Sequence, residues 1–196
     1  MPSKQLVRRG RGRHELIAST VRLIASRGLH ATTLRDIAAG AGLSLGSTTY
    51  HFPDRDALML GAFEAHVTDT EGVVDDALAD GSEPRDVRTD GGVRSALGAL
   101  LADRNQVLIR HELRLEATRD PRCRELYARS RDAVGRIVAG ALRAGHQPAD
   151  TTAVSVLAAA LEEAAIEAAV VHAEAAAFTA AMTAHLDRQF AAQSSA

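Results

Sequence analysis

Residues 32–58, TTLRDIAAGAGLSLGSTTYHFPDRDAL, decide how this chain folds. Thr33 stands before Leu34-Arg35-Asp36-Ile37-Ala38, and its hydroxyl can accept from an early backbone N–H. The spacing therefore predicts a short helix from Leu34 to about Gly40. Ala41-Gly42-Leu43 reads as a tight turn, in which Gly42 supplies a conformation that a β-branched residue resists. Ser44 caps a second short helix over about 45–52, which Pro53 ends, and Asp54 caps a long helix opening at Arg55. Helix, three-residue glycine turn and short polar helix is the spacing of a helix-turn-helix. Ile37, Ala38, Leu43 and Leu45 would bury the seam between the two short helices.

Working outward, Leu16, Thr20 and Leu23 recur at helical spacing with Ile17, Val21 and Ile24, which predicts a helix over 13–27 closed by Gly28. Residues 1–12, MPSKQLVRRGRG, are basic and glycine-containing and read as a flexible arm. On the other side, residues 80–92, DGSEPRDVRTDGG, read as a linker. Helices are expected over 93–102, 104–118, 121–144, 150–173 and 174–193. The 196-residue chain is 46% hydrophobic but only 3% aromatic, and Ala supplies much of the apolar share. That composition favours helix over strand, so the expected fold is all-α. The domains expected are a head over 13–60 and a helical body over 61–196.

Charge separates the same two parts. Residues 1–60 hold nine Lys/Arg against four Asp/Glu, a net of +5, while the remainder holds 14 against 21, a net of −7. A basic head on an acidic body points to a polyanionic partner for the head. The basic N-terminus lacks the apolar core of a signal peptide, and no uncharged run reaches the roughly 18 residues of a membrane span. A cytoplasmic protein without a membrane partner is the expectation.

Residues 13–60 resemble the head of the tetracycline-repressor (TetR) family of bacterial transcriptional regulators. The resemblance rests on LIASTVRLIASRG and on the helix-turn-helix stretch, with its Thr-capped Ile-Ala helix, Ala-Gly-Leu-Ser turn and Tyr-His-Phe ending. It departs from the family at Thr49, often Tyr, and at Arg55, often Lys. The family resemblance implies that Thr33, Arg35, Ser44, Ser47, Thr48, Thr49, Tyr50, His51 and Arg55 meet double-stranded DNA. Tyr50 and His51 would contact phosphate or groove edges, Thr33 a phosphate, Arg35 a guanine, and Arg55 would clamp the backbone. Physical chemistry agrees on the residue types: hydroxyls, Tyr, His and Arg can donate or accept at groove edges. Lys4, Arg8, Arg9, Arg11 and Arg13 could follow an adjacent minor groove.

The resemblance further implies a homodimer that binds a near-palindromic operator, most often as a repressor, and a small-molecule effector of unknown identity. Dimerisation is expected through a stripe on the last two helices, with Val154, Leu157, Leu161, Ala165 and Ala168, and with Phe178 and Met182 beyond it. The effector would meet His111, Glu112, Arg114 and Leu115 on the 104–118 helix, together with Leu161, Glu162 or His172. No HExxH, Gly-x-Ser-x-Gly, phosphate-binding glycine loop or CxxC occurs, so neither an enzyme, a metal nor a cofactor is expected. Cys123 lies between Arg122 and Arg124, which could lower its pKa. Two other classes remain open at this level: a non-specific nucleic-acid-binding protein and a helical enzyme.

Overall fold

The computed structural model describes residues 4–79, 91–144 and 147–191, with side chains placed over 11–79, 96–144 and 147–186. Helix α1 (Lys4–Arg27) begins earlier than expected, so from Lys4 onward the basic segment is helical rather than an arm. Nothing in it breaks a helix: Gly10 and Gly12 each cost only about 1 kcal/mol relative to Ala. Leu16, Ile17, Thr20 and Ile24 form its buried face. Gly28, at φ +82°, ends it in the left-handed region.

Helices α2 (Leu34–Gly40) and α3 (Leu45–His51) follow, each with the expected cap. Thr33 Oγ accepts from Asp36 N at 3.2 Å and Ser44 Oγ from Ser47 N at 3.1 Å. Gly42, at φ +66°, makes the turn. Helix α2 is pinned to α1 by Ser19 Oγ, which donates to Ile37 O at 3.0 Å, and by Arg22 Nη2, which donates to Gly40 O at 3.3 Å. Ile37 and Ala38 are buried in the seam, whereas Leu45 turns outward and is exposed.

Helix α4 (Arg55–Ala79) starts where Asp54 Oδ1 accepts from Ala57 N at 2.7 Å. The remaining helices are α5 (Gly91–Ala102), α6 (Arg104–Glu116), α7 (Pro121–Ala144), α8 (Thr151–Val171) and α9 (Ala175–Ala191). No strand occurs among the described residues. The expected linker lies outside them as far as residue 90, and Gly91 and Gly92 already belong to α5.

Two apolar clusters hold the helices together. One joins Leu16, Ile24, Leu29, Ile37, Phe52, Leu58 and Phe63 to Ile109 and Leu113 of α6 and to Cys123 and Leu126 of α7. The head thus shares its core with the body, across the boundary expected at residue 60. The second cluster joins Val74 of α4 to α5, α7, α8 and α9, and it contains Leu161, Ala165, Phe178 and Met182. These four are buried against their own chain, and Leu157 and Ala168 pack partly against the same core. That corrects the dimerisation stripe expected from the sequence. Small apolar residues occur on every side of α8 and α9, so no one face dominates, and packing chooses which side turns inward.

Two contacts in this frame give measurable stability. The Phe52 ring fits against Gly61 of α4, with the Arg13 guanidinium 5.2 Å above the ring centroid. A Cβ at Gly61 would sit 2.9 Å from the ring, whereas one at Gly72 would meet nothing within 4 Å. Gly61→Ala should therefore cost about 1–3 kcal/mol and Gly72→Ala should stabilise by about 0.5–1 kcal/mol, opposite signs in paired urea melts.

His66 of α4 is buried, with Nδ1 2.6 Å from Gln106 Oε1 and Nε2 without a partner among the described residues. Burial, and then the nearby Arg110 charge, push its pKa down from 6.5 to about 4. Between those values the unfolded chain binds a proton that the folded chain does not, so stability falls as pH falls through this window. The loss reaches about 3 kcal/mol at pH 4, from 1.36 kcal/mol per unit. Thermal melts from pH 7 to pH 4 should show a shallower decline in His66→Gln than in the parent chain.

Candidate nucleic-acid interface and effector cavity

The head presents α3 outward on a rigid seat. Tyr50 is 63% exposed, and its ring meets His51 edge-on with centroids 5.3 Å apart. His51 is half-buried, because its ring lies over Gly12 of α1, where a Cβ would come within 2.8 Å of Nε2. Thr49 and Ser44 are exposed and Ser47 is partly so. Thr49 Oγ donates to Gly46 O at 3.1 Å, leaving its methyl and the oxygen lone pairs for a partner. Arg35, on the exposed side of α2, makes no ion pair or hydrogen bond among the described residues. Thr33 is exposed, but its hydroxyl donates to Asp36 Oδ2 at 2.8 Å. That bond, reinforced by Arg27, holds the Asp36 carboxyl below the usual carboxylate range.

Two expected DNA contacts point inward instead. Thr48 is fully buried, with its hydroxyl donated to Ser44 O at 3.1 Å, because the fourth residue of α3 faces α2 and not the groove. Arg55 donates Nε to Thr32 O at 2.8 Å and Nη2 to Leu29 O, so its guanidinium ties the α1–α2 corner to α4. Family pattern marks both positions as special, but their chemistry here is internal.

In the body, a small cavity of about 20 Å³ lies among Val107, Arg110, His111 and Arg114 of α6, Tyr127 of α7, and Glu162, Ala165 and Ile166 of α8. It adjoins an open groove of about 1070 Å³ between α7 and α8. His111, Arg114 and Glu162 thus come together as the sequence suggests. Leu161 packs into the core, Leu115 faces solvent, and neither lines the cavity or the groove; nor does His172 at the end of α8. Glu112 turns to the head, where its Oε1 accepts from Leu29 N at 3.4 Å. Arg110 and Tyr127 escape the sequence reading. The spacing Val107, Arg110, His111, Arg114 marks one helical face and could have found the first of them. Tyr127 carries no such signal.

Arg110 is buried; Nη2 donates to Leu100 O at 3.0 Å, and Nη1 has no partner among the described residues. Burial lowers its pKa, opposed by Glu162 and Tyr127. Cys123 reverses the sequence expectation: burial, then Asp120 and Glu116, push its thiol up to about 11. Arg122 pulls the thiol the other way but is outweighed, being engaged by Asp120 at 2.8 Å, and Arg124 is taken up by Ala117 O at 3.3 Å. Among the described residues no helix is long and apolar enough to cross a membrane.

A polar recognition helix seated on a short capped helix, with a helical body holding a cavity, defines a helix-turn-helix regulator. Comparison with known proteins agrees. The profile for bacterial regulatory proteins of the tetR family matches residues 16–62, and that of the tetracyclin repressor-like C-terminal domain matches residues 88–191. The chain belongs to the TetR family, whose members are DNA-binding transcriptional regulators and not enzymes. The transcriptional repressor KstR2 of Rhodococcus jostii is 36% identical over 73 residues, 37% of this chain and 36% of its own length. The curated relatives are thus matched over 19% to 37% of either chain. Among solved structures, the TetR-family member SCO1917 of Streptomyces coelicolor superposes with a TM-score of 0.63 at 28% identity, covering 89% of this chain and 97% of that one. The multidrug binding protein EbrR, complexed with proflavin, gives a TM-score of 0.52 at 29% identity, covering 89% of this chain and 99% of that one.

Proposed function

We propose that this chain is a cytoplasmic repressor that binds a near-palindromic operator as a homodimer and is released by a small-molecule effector. The observation that carries the reading is the outward face of α3, where Thr49 and Tyr50 stand exposed with Arg35 of α2. These side chains can donate, accept or meet a thymine methyl in the major groove. The head over 13–60 reads DNA in this proposal, and the body over 61–196 carries effector binding and dimerisation. The repressor assignment follows the relatives named as repressors.

The dimer face proposed replaces the one expected from the sequence. Val156, Val170 and Val171 of α8 are 65%, 76% and 63% exposed, and Ala160, Glu163 and Glu167 lie on the same outer side. Apolar side chains this open on one helix are what a second copy would cover. Effector binding beside α6 would favour a head position that no longer matches the two half-sites.

The operator, selected from a random duplex pool, supplies the test of DNA reading. Arg35→Ala and Tyr50→Ala should each weaken operator binding by about tenfold to a hundredfold in fluorescence anisotropy, the size of one lost base or phosphate contact. Equal affinity for cognate and random duplex at matched salt would show a non-specific nucleic-acid-binding protein instead. For the dimer, Val156→Glu with Val170→Glu should give a monomer in sedimentation with helicity retained. Phe178→Ala should leave the interface alone and lose about 3–5 kcal/mol of stability.

A further inference from the structure

The groove between α7 and α8 and the cavity beneath α6 share Arg114, Tyr127 and Glu162, so the cavity is the blind end of the groove. At that end Arg110 is only 5% exposed, and its Nη1 is buried without a partner among the described residues. Buried charges are normally paired, because desolvation otherwise costs more than the fold returns. Among the described residues no carboxylate is ion-paired with Arg110; Glu162 acts on it only from longer range. Arg114 stands one helical turn beyond and is exposed, so its side chain can swing to admit a head group. Along the groove, Arg131 and Arg143 are likewise without an ion pair among the described residues, whereas Arg136 is engaged by Asp75 and Asp132. Among the described residues, five arginines thus face three acids, Asp132, Glu162 and Glu163, around the two spaces. Among the described residues Tyr127 contributes the one phenyl ring, so they build no aromatic box for a quaternary ammonium or a stacked cationic dye.

We infer that the effector is an amphipathic organic acid, whose carboxylate pairs with Arg110 and Arg114 at the blind end while its apolar body lies along Val134, Val154 and Ala158. A guanidinium fork matches a carboxylate bidentately, and the pair would satisfy the nitrogen that the chain leaves unpaired. The cavity holds about one water as it stands, so the head group enters as Arg114 moves aside. This inference rests on the effector-release reading and assigns that effector its chemical class.

The test uses the full chain with three probes of equal tail: decanoate, decanol and decyltrimethylammonium. Thermal melting without DNA and release of labelled operator are both read. Decanoate should raise Tm and release operator at a concentration roughly tenfold below that of decanol, with the ammonium weakest. Glu162→Gln removes a competing charge and should strengthen the decanoate effect. Arg110→Met should bring decanoate down to the level of decanol; if that variant does not fold, the exposed Arg114→Gln reports the same loss. A probe order with alcohol or ammonium equal to or ahead of the acid overturns the inference. So does a weaker decanoate effect in Glu162→Gln, or no effect of decanoate on melting. Failure of the regulator reading shows separately, as an absence of specific duplex binding before any probe is added.

Discussion

Between α1 and α2 the chain turns a corner whose peptide groups no helix can satisfy, and buried peptide groups must find partners. Arg55 fills that need from one side, donating to the carbonyls of Leu29 and Thr32. Glu112 fills it from the other, accepting the N–H of Leu29 at 3.4 Å. The position of α2, and through Gly42 that of α3, follows from this corner. A basic side chain at the start of α4 and an acid on α6 therefore set the direction in which the recognition helix points.

The same corner explains why the head is not a separate folding unit. Leu29 and Phe52 lie in one cluster with Ile109, Leu113 and Leu126, so α6 and α7 complete the core beneath the helix-turn-helix. Helix α6 then has two occupied sides. Arg110, His111 and Arg114 look toward the cavity, and Glu112 reaches the head. A ligand that repositions α6 has a direct physical route to Leu29, through packed side chains and one hydrogen bond, with no need for a mobile linker.

Local chemistry made much of this legible in advance. The caps at Thr33, Ser44 and Asp54, the glycine turn at Gly42 and the stop at Gly28 depend on residues within a few positions of one another. Their geometry follows from hydroxyl reach and from the absence of a Cβ. The outward residues of α3 could be named because they are polar in a place where a core residue would be apolar. By contrast, Thr48 and Arg55 look alike in sequence to their neighbours, and only the packing of α3 on α2, and of α4 on the corner, turns them inward.

The body divides along the same line. Helices α6 to α9 were readable from composition and breaks, because alanine and leucine favour helix whatever surrounds them. Which face of α8 and α9 is buried was not readable, since nearly every face is apolar. Packing sends Phe178, Met182 and Ala165 inward and leaves Val156, Val170 and Val171 outside. The identity of Arg110 as the buried cation, the rise of the Cys123 thiol and the turning of Glu112 to Leu29 depend on partners 10 or more positions away in sequence or on burial itself. The sequence by itself determined the helices, their caps and the polarity of the recognition surface, through short-range stereochemistry. The tertiary structure alone decided which side chains are desolvated and which meet across helices, because those depend on how one helix face is laid against another.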